Sequence, residues 1–141
     1  MTSIDCFEYT ENDFNKIIND ISIDEILFRA VHSQFEAYLK ENGMIHRSFF
    51  RKNYGLSIDK LCNRKFNELL NDYKSKFKEL KYVIKVKNLD LREKNIYSFS
   101  KPLEYNLFHA ILLKSEDINN LKQMTKSQAK YLSDKCEVIV L

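Results

Sequence analysis

Residues 63–89 read NRKFNELLNDYKSKFKELKYVIKVKNL. The hydrophobic period changes inside this run. Phe66, Leu69, Leu70, Tyr73 and Phe77 recur at helical spacing, with lysines and acids on the other side, so the first part predicts an amphipathic helix. In KYVIKVKNL apolar and basic residues then alternate, which predicts a strand. A helix that leads directly into a strand points to α+β architecture.

Before this run, TENDFNKIINDI predicts a helix. Thr10 is its cap, Asp13 stands three residues on, and Phe14, Ile17, Ile18 and Ile21 form one stripe. EILFRAVH predicts a strand. Ser33 and Glu36 open a short helix, QFEAYLKEN, which Asn42-Gly43 would stop. MIHRSFF predicts a strand, RKNYG a turn and LSID a short extended piece. After the run, IYSFS and LFHAILL predict strands. Thr125 and Gln128 form a capping box that opens a helix through Lys135, and EVIVL predicts a last strand inside the sheet. The expectation is one compact α+β domain over 1–141. It would hold a mixed sheet of five or six short strands and three or four helices, with an N-terminal helix in 1–22 packed on the core.

A chain of 141 residues is long enough to bury a core unaided. Its apolar runs are too short to span a membrane, and the acidic, polar start is unlike a signal peptide, so the expected location is cytoplasmic. Cys6, Cys62 and Cys136 are widely spaced and lack zinc-ligand spacing, so reduced thiols and no metal site are expected. Residues 1–25 carry seven acids and one lysine, whereas 47–87 carry twelve Lys/Arg and four acids. A segment that basic suits phosphate, nucleotide or RNA, but a solvated helix face accounts for it equally, and no RNA-binding motif accompanies it.

Three places carry polar residues where strands should be apolar. Arg29 lies among core-facing neighbours of ILFRAVH, and a buried arginine needs a partner or a polar pocket. Its planar fork suits an anion. Ser57 and Asp59 share one side of LSID, although either could cap the following helix. His109, three residues after Asn106, sits in an apolar run, where a core role competes with proton transfer. His46 and Ser48 share a face in the MIHRSFF segment. With only Gly43 and Gly55 available, a glycine-built phosphate cradle is nearly excluded.

These residues, in order, resemble a family of small uncharacterised bacterial proteins. That family has an early Arg strand (Arg29 here), a Ser-x-x-Phe segment (against Ser48-Phe49-Phe50), a Leu-Ser-x-Asp step (Leu56 to Asp59) and a late Asn-x-x-His-Ala (Asn106 to Ala110). The resemblance covers 25–141 and implies a site built from Arg29, Ser48, Ser57, Asp59, Asn106 and His109. A fainter likeness is to the ADP-ribosyltransferase-like fold. It implies NAD as cofactor, Arg29 on the pyrophosphate, and Tyr54 or Tyr97 stacked on the nicotinamide. Glu104 and Glu137 are its candidate acids. Together these readings place His109 and Asp59 in catalytic roles, with Arg29, Ser48, Ser57, Asn106 and Tyr54 binding ligand. The leading functional expectation is a non-enzymatic bacterial or phage accessory protein with a protein partner, of toxin–antitoxin or defence type. The alternatives are a nucleotide- or NAD-handling protein and, after that, RNA binding through 47–87. The sequence is compatible with an enzyme and with a non-enzymatic protein.

Overall fold

The computed structural model describes residues 6–52 and 54–141. Six strands form one sheet: β1 (Ile26–Val31), β2 (Leu56–Lys60), β3 (Tyr82–Lys87), β4 (Tyr97–Ser100), β5 (His109–Leu113) and β6 (Glu137–Val140). Their order across the sheet is β4-β5-β2-β1-β3-β6. Three α-helices accompany them, α1 (Phe66–Lys76), α2 (Asn88–Leu91) and α3 (Lys126–Lys135), together with short 3-10 turns. The α+β class and the strand number agree with the sequence reading.

Among the described residues every strand pairing is antiparallel, so the expected mixture of parallel and antiparallel pairs is not found there. The connections supply the reason. The crossover through α1 joins β2 to β3, which run the same way, but β1 lies between them and pairs with both. α3 likewise leads from β5 to β6 at distant places in the sheet.

The helices follow their local signals. α1 buries Leu69 and Tyr73 against Phe28, Ala30 and Val83 on one sheet face. α3 begins at the Thr125–Gln128 capping box and buries Ala129 and Leu132 in the larger core on the other face. Burial of that kind contributes roughly 1.5–3 kcal/mol per large apolar side chain. The larger core also takes Phe49 and Phe50.

Several elements differ from the expectation. No α-helix forms in 6–22; Cys6–Glu8 and Glu11–Asp13 are 3-10 turns, and residues 1–5 lie outside the described residues. Asn15 takes a left-handed φ of 66°, and Ile18 pairs through its backbone with Ser100 at the outer edge of β4. Long-range pairing therefore outweighs the helical stripe. Ile17 packs beside Phe99, Ile111 and Leu113, whereas Ile21 joins the larger core. SQFEAY is a 3-10 segment rather than an α-helix. The expected strand MIHRSFF keeps only one bridge, Ile45 to Leu39. At Arg47–Phe50 it winds into a 3-10 turn, whose start is fixed by the Ser48 N–H donating to His46 Nδ1 at 3.0 Å. β6 was expected inside the sheet and stands at its edge.

The N-terminal arm is tied down twice. Cys6 and Cys62 form a disulfide with Cα atoms 6.2 Å apart, where free thiols were expected. Nothing in a separation of 56 residues announces that pairing; it follows from the arm folding back over the loop between β2 and α1. The second tie is Lys60, only 2 % exposed, whose Nζ donates to Tyr9 Oη at 2.8 Å and to Ser100 Oγ at 2.6 Å. Both hydroxyls in turn donate to the Asp20 carboxylate.

Candidate functional site

The cross-strand register brings the polar residues together. Asp59 stands opposite both Phe28 of β1 and His109 of β5, so its side chain and that of His109 share the α1 face. Ser57, two residues earlier on β2, emerges on the same face. Asp59 is held from two sides: Tyr73 Oη donates to Oδ2 at 2.7 Å and Asn106 Nδ2 to Oδ1 at 2.7 Å. Tyr73 is buried, and burial beside Asp59 raises the pKa of its phenol well above the ordinary value.

His109 is fixed at both ring nitrogens. Nδ1 lies 2.9 Å from the Lys101 carbonyl oxygen and Nε2 lies 3.2 Å from Ser57 Oγ. A carbonyl oxygen can only accept, so Nδ1 carries the proton. In the neutral ring Nε2 is then the acceptor, and the Ser57 hydroxyl donates to it. Burial lowers the His109 pKa below its usual value, outweighing the Lys101 carbonyl and Asp59, which act to raise it. The ring is therefore neutral at pH 7.

Arg29 enters by a different route. Alternation places it on the larger-core face, away from Ser57 and Asp59. However, β1 and β2 pair only at Leu27–Lys60 and Phe28–Asp59, and beyond these the strands part. The guanidinium occupies the opening. Nη1 donates to the main-chain carbonyl of Ser57 at 2.6 Å, while the Phe35 and Phe49 rings lie 5.3 and 4.9 Å from Cζ. Nε is buried without a hydrogen-bond partner. No carboxylate lies within ion-pair distance of Arg29 among the described residues, where the ion pairs are Arg64–Asp72 and Lys130–Asp134. Desolvation lowers the Arg29 pKa, offset in part by Tyr73 and Asp59.

Arg29, Ser57, Asp59 and Tyr73 open onto a cleft of about 210 Å³ between β1, β2 and α1, with His32, Phe35, Ala30 and Phe77 completing the wall; Asn106 and His109 are not among its lining residues. His32 stacks on Phe77 with ring centres 4.9 Å apart. The arrangement offers one cation, one carboxylate, one hydroxyl hydrogen-bonded to an imidazole and mostly aromatic walls.

Of the residues singled out from the sequence, the structure brings together Arg29, Ser57, Asp59, Asn106 and His109. Ser48 is not among the cleft residues; it lies in the 3-10 turn beside His46. Tyr54 is 77 % exposed and borders a separate hollow with Asn119, Leu121 and Lys122. Tyr97 stacks under Arg92, and Glu104 and Glu137 are exposed. His46 and Arg47 line another hollow, with Lys40 and Lys130. Tyr73 and the ring wall of His32, Phe35 and Phe77 were not foreseen as site residues. Tyr73 carried a signal, since a tyrosine in a core-facing stripe needs a partner for its hydroxyl. Among the described residues no group of acids, cysteines and histidines is placed to hold a metal ion, and no helix is long and apolar enough to cross a membrane.

Comparison with known proteins returns no match among family models, curated proteins or solved structures.

Proposed function

We propose that the cleft binds a small anionic ligand through Arg29, with a carboxylate or phosphate group seated against the guanidinium. The observation that carries this reading is a half-buried arginine with no carboxylate partner and a buried, unpaired Nε. A desolvated cation without a carboxylate in ion-pair contact is costly, and an anion seated in the cleft beside the guanidinium lowers that cost. Arginine presents a planar fork suited to either anion. The size of the cleft favours a head group. At about 210 Å³ it is smaller than the roughly 300–1,000 Å³ typical of sites that enclose a drug-sized ligand, so most of an NAD molecule would remain outside.

Thermal melts in inorganic phosphate and in malonate test the reading. Saturation at about 100 times Kd stabilises a fold by about 2.7 kcal/mol. Arg29→Met should abolish the shift and Arg29→Lys should weaken it. If neither anion shifts the wild-type melt at millimolar concentration, at an ionic strength matched with chloride, Arg29 is not an anion site.

A second reading, a protein-interaction role, is favoured by one observation. Among the described residues β6 pairs with β3 alone, and Val140 is 73 % exposed at the sheet edge, a place where an extended peptide could add a strand. Sedimentation velocity over a range of concentrations tests the self-pairing form of this idea, and a constant monomer value removes it. As to location, the Cys6–Cys62 bridge suits an oxidising compartment better than the reducing cytoplasm expected from the polar N-terminus.

A further inference from the structure

We propose that Ser57 and His109 form a nucleophile–base pair that cleaves small esters or thioesters bearing an anionic substituent. This rests on the anion-binding reading of Arg29. Three features of the geometry meet at one point. The Ser57 hydroxyl is solvent-exposed and donates toward His109 Nε2. The Lys101 carbonyl holds the other ring nitrogen in its protonated form, the part an orienting carboxylate plays in a serine triad. Arg29, anchored on the Ser57 main-chain carbonyl, brings a positive charge to the same residue.

Ser57 lines the cleft, and among the described residues its side-chain hydrogen bond is to the histidine. The aromatic wall accepts a short acyl group, and Arg29 holds its anionic end. Asp59, fixed by Tyr73 and Asn106, faces the imidazole and offsets the charge that develops on it.

The step balances without a cofactor. Ser57 Oγ attacks the acyl carbonyl carbon and its proton passes to His109 Nε2. The tetrahedral oxyanion collapses, the bond to the leaving oxygen or sulfur breaks, and Nε2 returns the proton to that leaving group. Water then attacks the acyl-Ser57 ester, giving a proton to Nε2, which passes it to Ser57 Oγ as the acid departs. The net reaction is ester plus water to acid plus alcohol or thiol.

The test is covalent labelling of the full chain with a fluorophosphonate probe, followed by peptide mass spectrometry. One adduct on the Ser57 peptide is expected, absent in Ser57→Ala. That variant should fold normally, because it loses only an exposed hydroxyl. His109→Gln should slow labelling by about 10²-fold or more, as loss of a general base does. The wild-type rate should rise with pH through a midpoint below 6.5. Burial lowers that midpoint; the Lys101 carbonyl and the Asp59 charge act to raise it, and the charges of Lys101 and Lys76 lower it further. Malonate should compete with the probe. Absence of an adduct on Ser57, or equal labelling of folded His109→Gln, overturns the inference. If phosphate or malonate still shifts the melt in that case, anion binding at Arg29 survives alone. An adduct that malonate does not slow, together with melts that no anion shifts, overturns both the Arg29 reading and the anionic substrate class.

Discussion

Reducing the Cys6–Cys62 bridge should cost the protein a large share of its stability. The bridge spans 56 residues, and closing a loop of that size removes about 14 cal/mol/K from the unfolded chain, or about 4 kcal/mol at 25 °C. Unfolding entropy of about 2.1 cal/mol/K per residue over 141 residues is about 0.3 kcal/mol/K, so Tm should fall by about 14 °C. The contacts of the arm need not change, since Lys60, Tyr9, Ser100 and Asp20 hold it independently of the sulfurs. The loss should therefore appear in the melt while the near-UV spectrum of the folded protein is kept. Circular dichroism melts with and without a phosphine reductant measure it, and Cys62→Ser should match the reduced wild type. Thiol titration supplies the control. The denatured, unreduced protein should expose only Cys136, and the reduced protein all three cysteines. In the native state Cys136 should react slowly, because burial pushes its thiol up to about 12. Three titrating thiols before reduction, or a midpoint that moves by less than about 3 °C (a fifth of the expected shift), would refute the reasoning.

Lys60→Met should destabilise by about 3 kcal/mol in urea unfolding, because it removes the buried ammonium around which Tyr9, Ser100 and Asp20 are arranged. A near-neutral result would mean that the hydroxyls and Asp20 satisfy one another without it. Gly55→Ala should cost more than about 1 kcal/mol, since φ is +89° and a Cβ would meet Leu113 and Ile111 side-chain atoms at 3.2 and 3.3 Å; an unchanged urea midpoint would count against that backbone. Thr125→Ala should cost about 1 kcal/mol by opening the α3 capping box, and Thr125→Ser should restore most of it in the same assay. Burial depresses the folded-state pKa of His109, so the unfolded chain binds its proton more readily. The resulting stability is present above about pH 6.5 and lost as pH falls through 6.5 toward the folded value. Chemical denaturation between pH 4 and 8 should show a shallower acid loss in His109→Gln, with the part due to His32 remaining.

The legible parts of this protein are those written in short windows. α1, α3, β3 and β5 follow from period and capping alone, because partners within a few residues or a wholly buried face decide them. The site was half legible for the same reason: Ser57 and Asp59 alternate out of an apolar strand, and Arg29 and His109 interrupt apolar runs. Proximity of these four was not written locally. It depends on β2 lying between β1 and β5, a non-local choice. Phe14, Ile17, Ile18 and Ile21 keep helical spacing, yet Ile18 pairs with Ser100, more than eighty residues later, and no local pattern reports that bond. The gap that admits the Arg29 guanidinium is likewise a property of two diverging strands rather than of either one. Lys60 did carry a hint, sharing a strand face with Leu56 and Ile58, where a lysine needs buried partners.

The strand order also has a consequence during biosynthesis. β2 borrows its outer neighbour from residues 109–113, whereas β1 and β3 are complete by residue 87. At about 5–20 residues per second, the ribosome needs roughly 1–5 s to pass from the end of β3 at Lys87 to the end of β5 at Leu113. For that interval a nascent chain that has already joined β1, β2 and β3 presents Leu56–Lys60 as a bare edge. β4 and the Ser100 hydroxyl that receives Lys60 also come after β3, so until then the ammonium lacks Ser100 and has the Tyr9 hydroxyl as its early partner. A charged residue on an unfinished edge discourages pairing with neighbouring chains on the same message. Lys60 thus guards the strand while it waits and becomes part of the interior when β4 and β5 close over it.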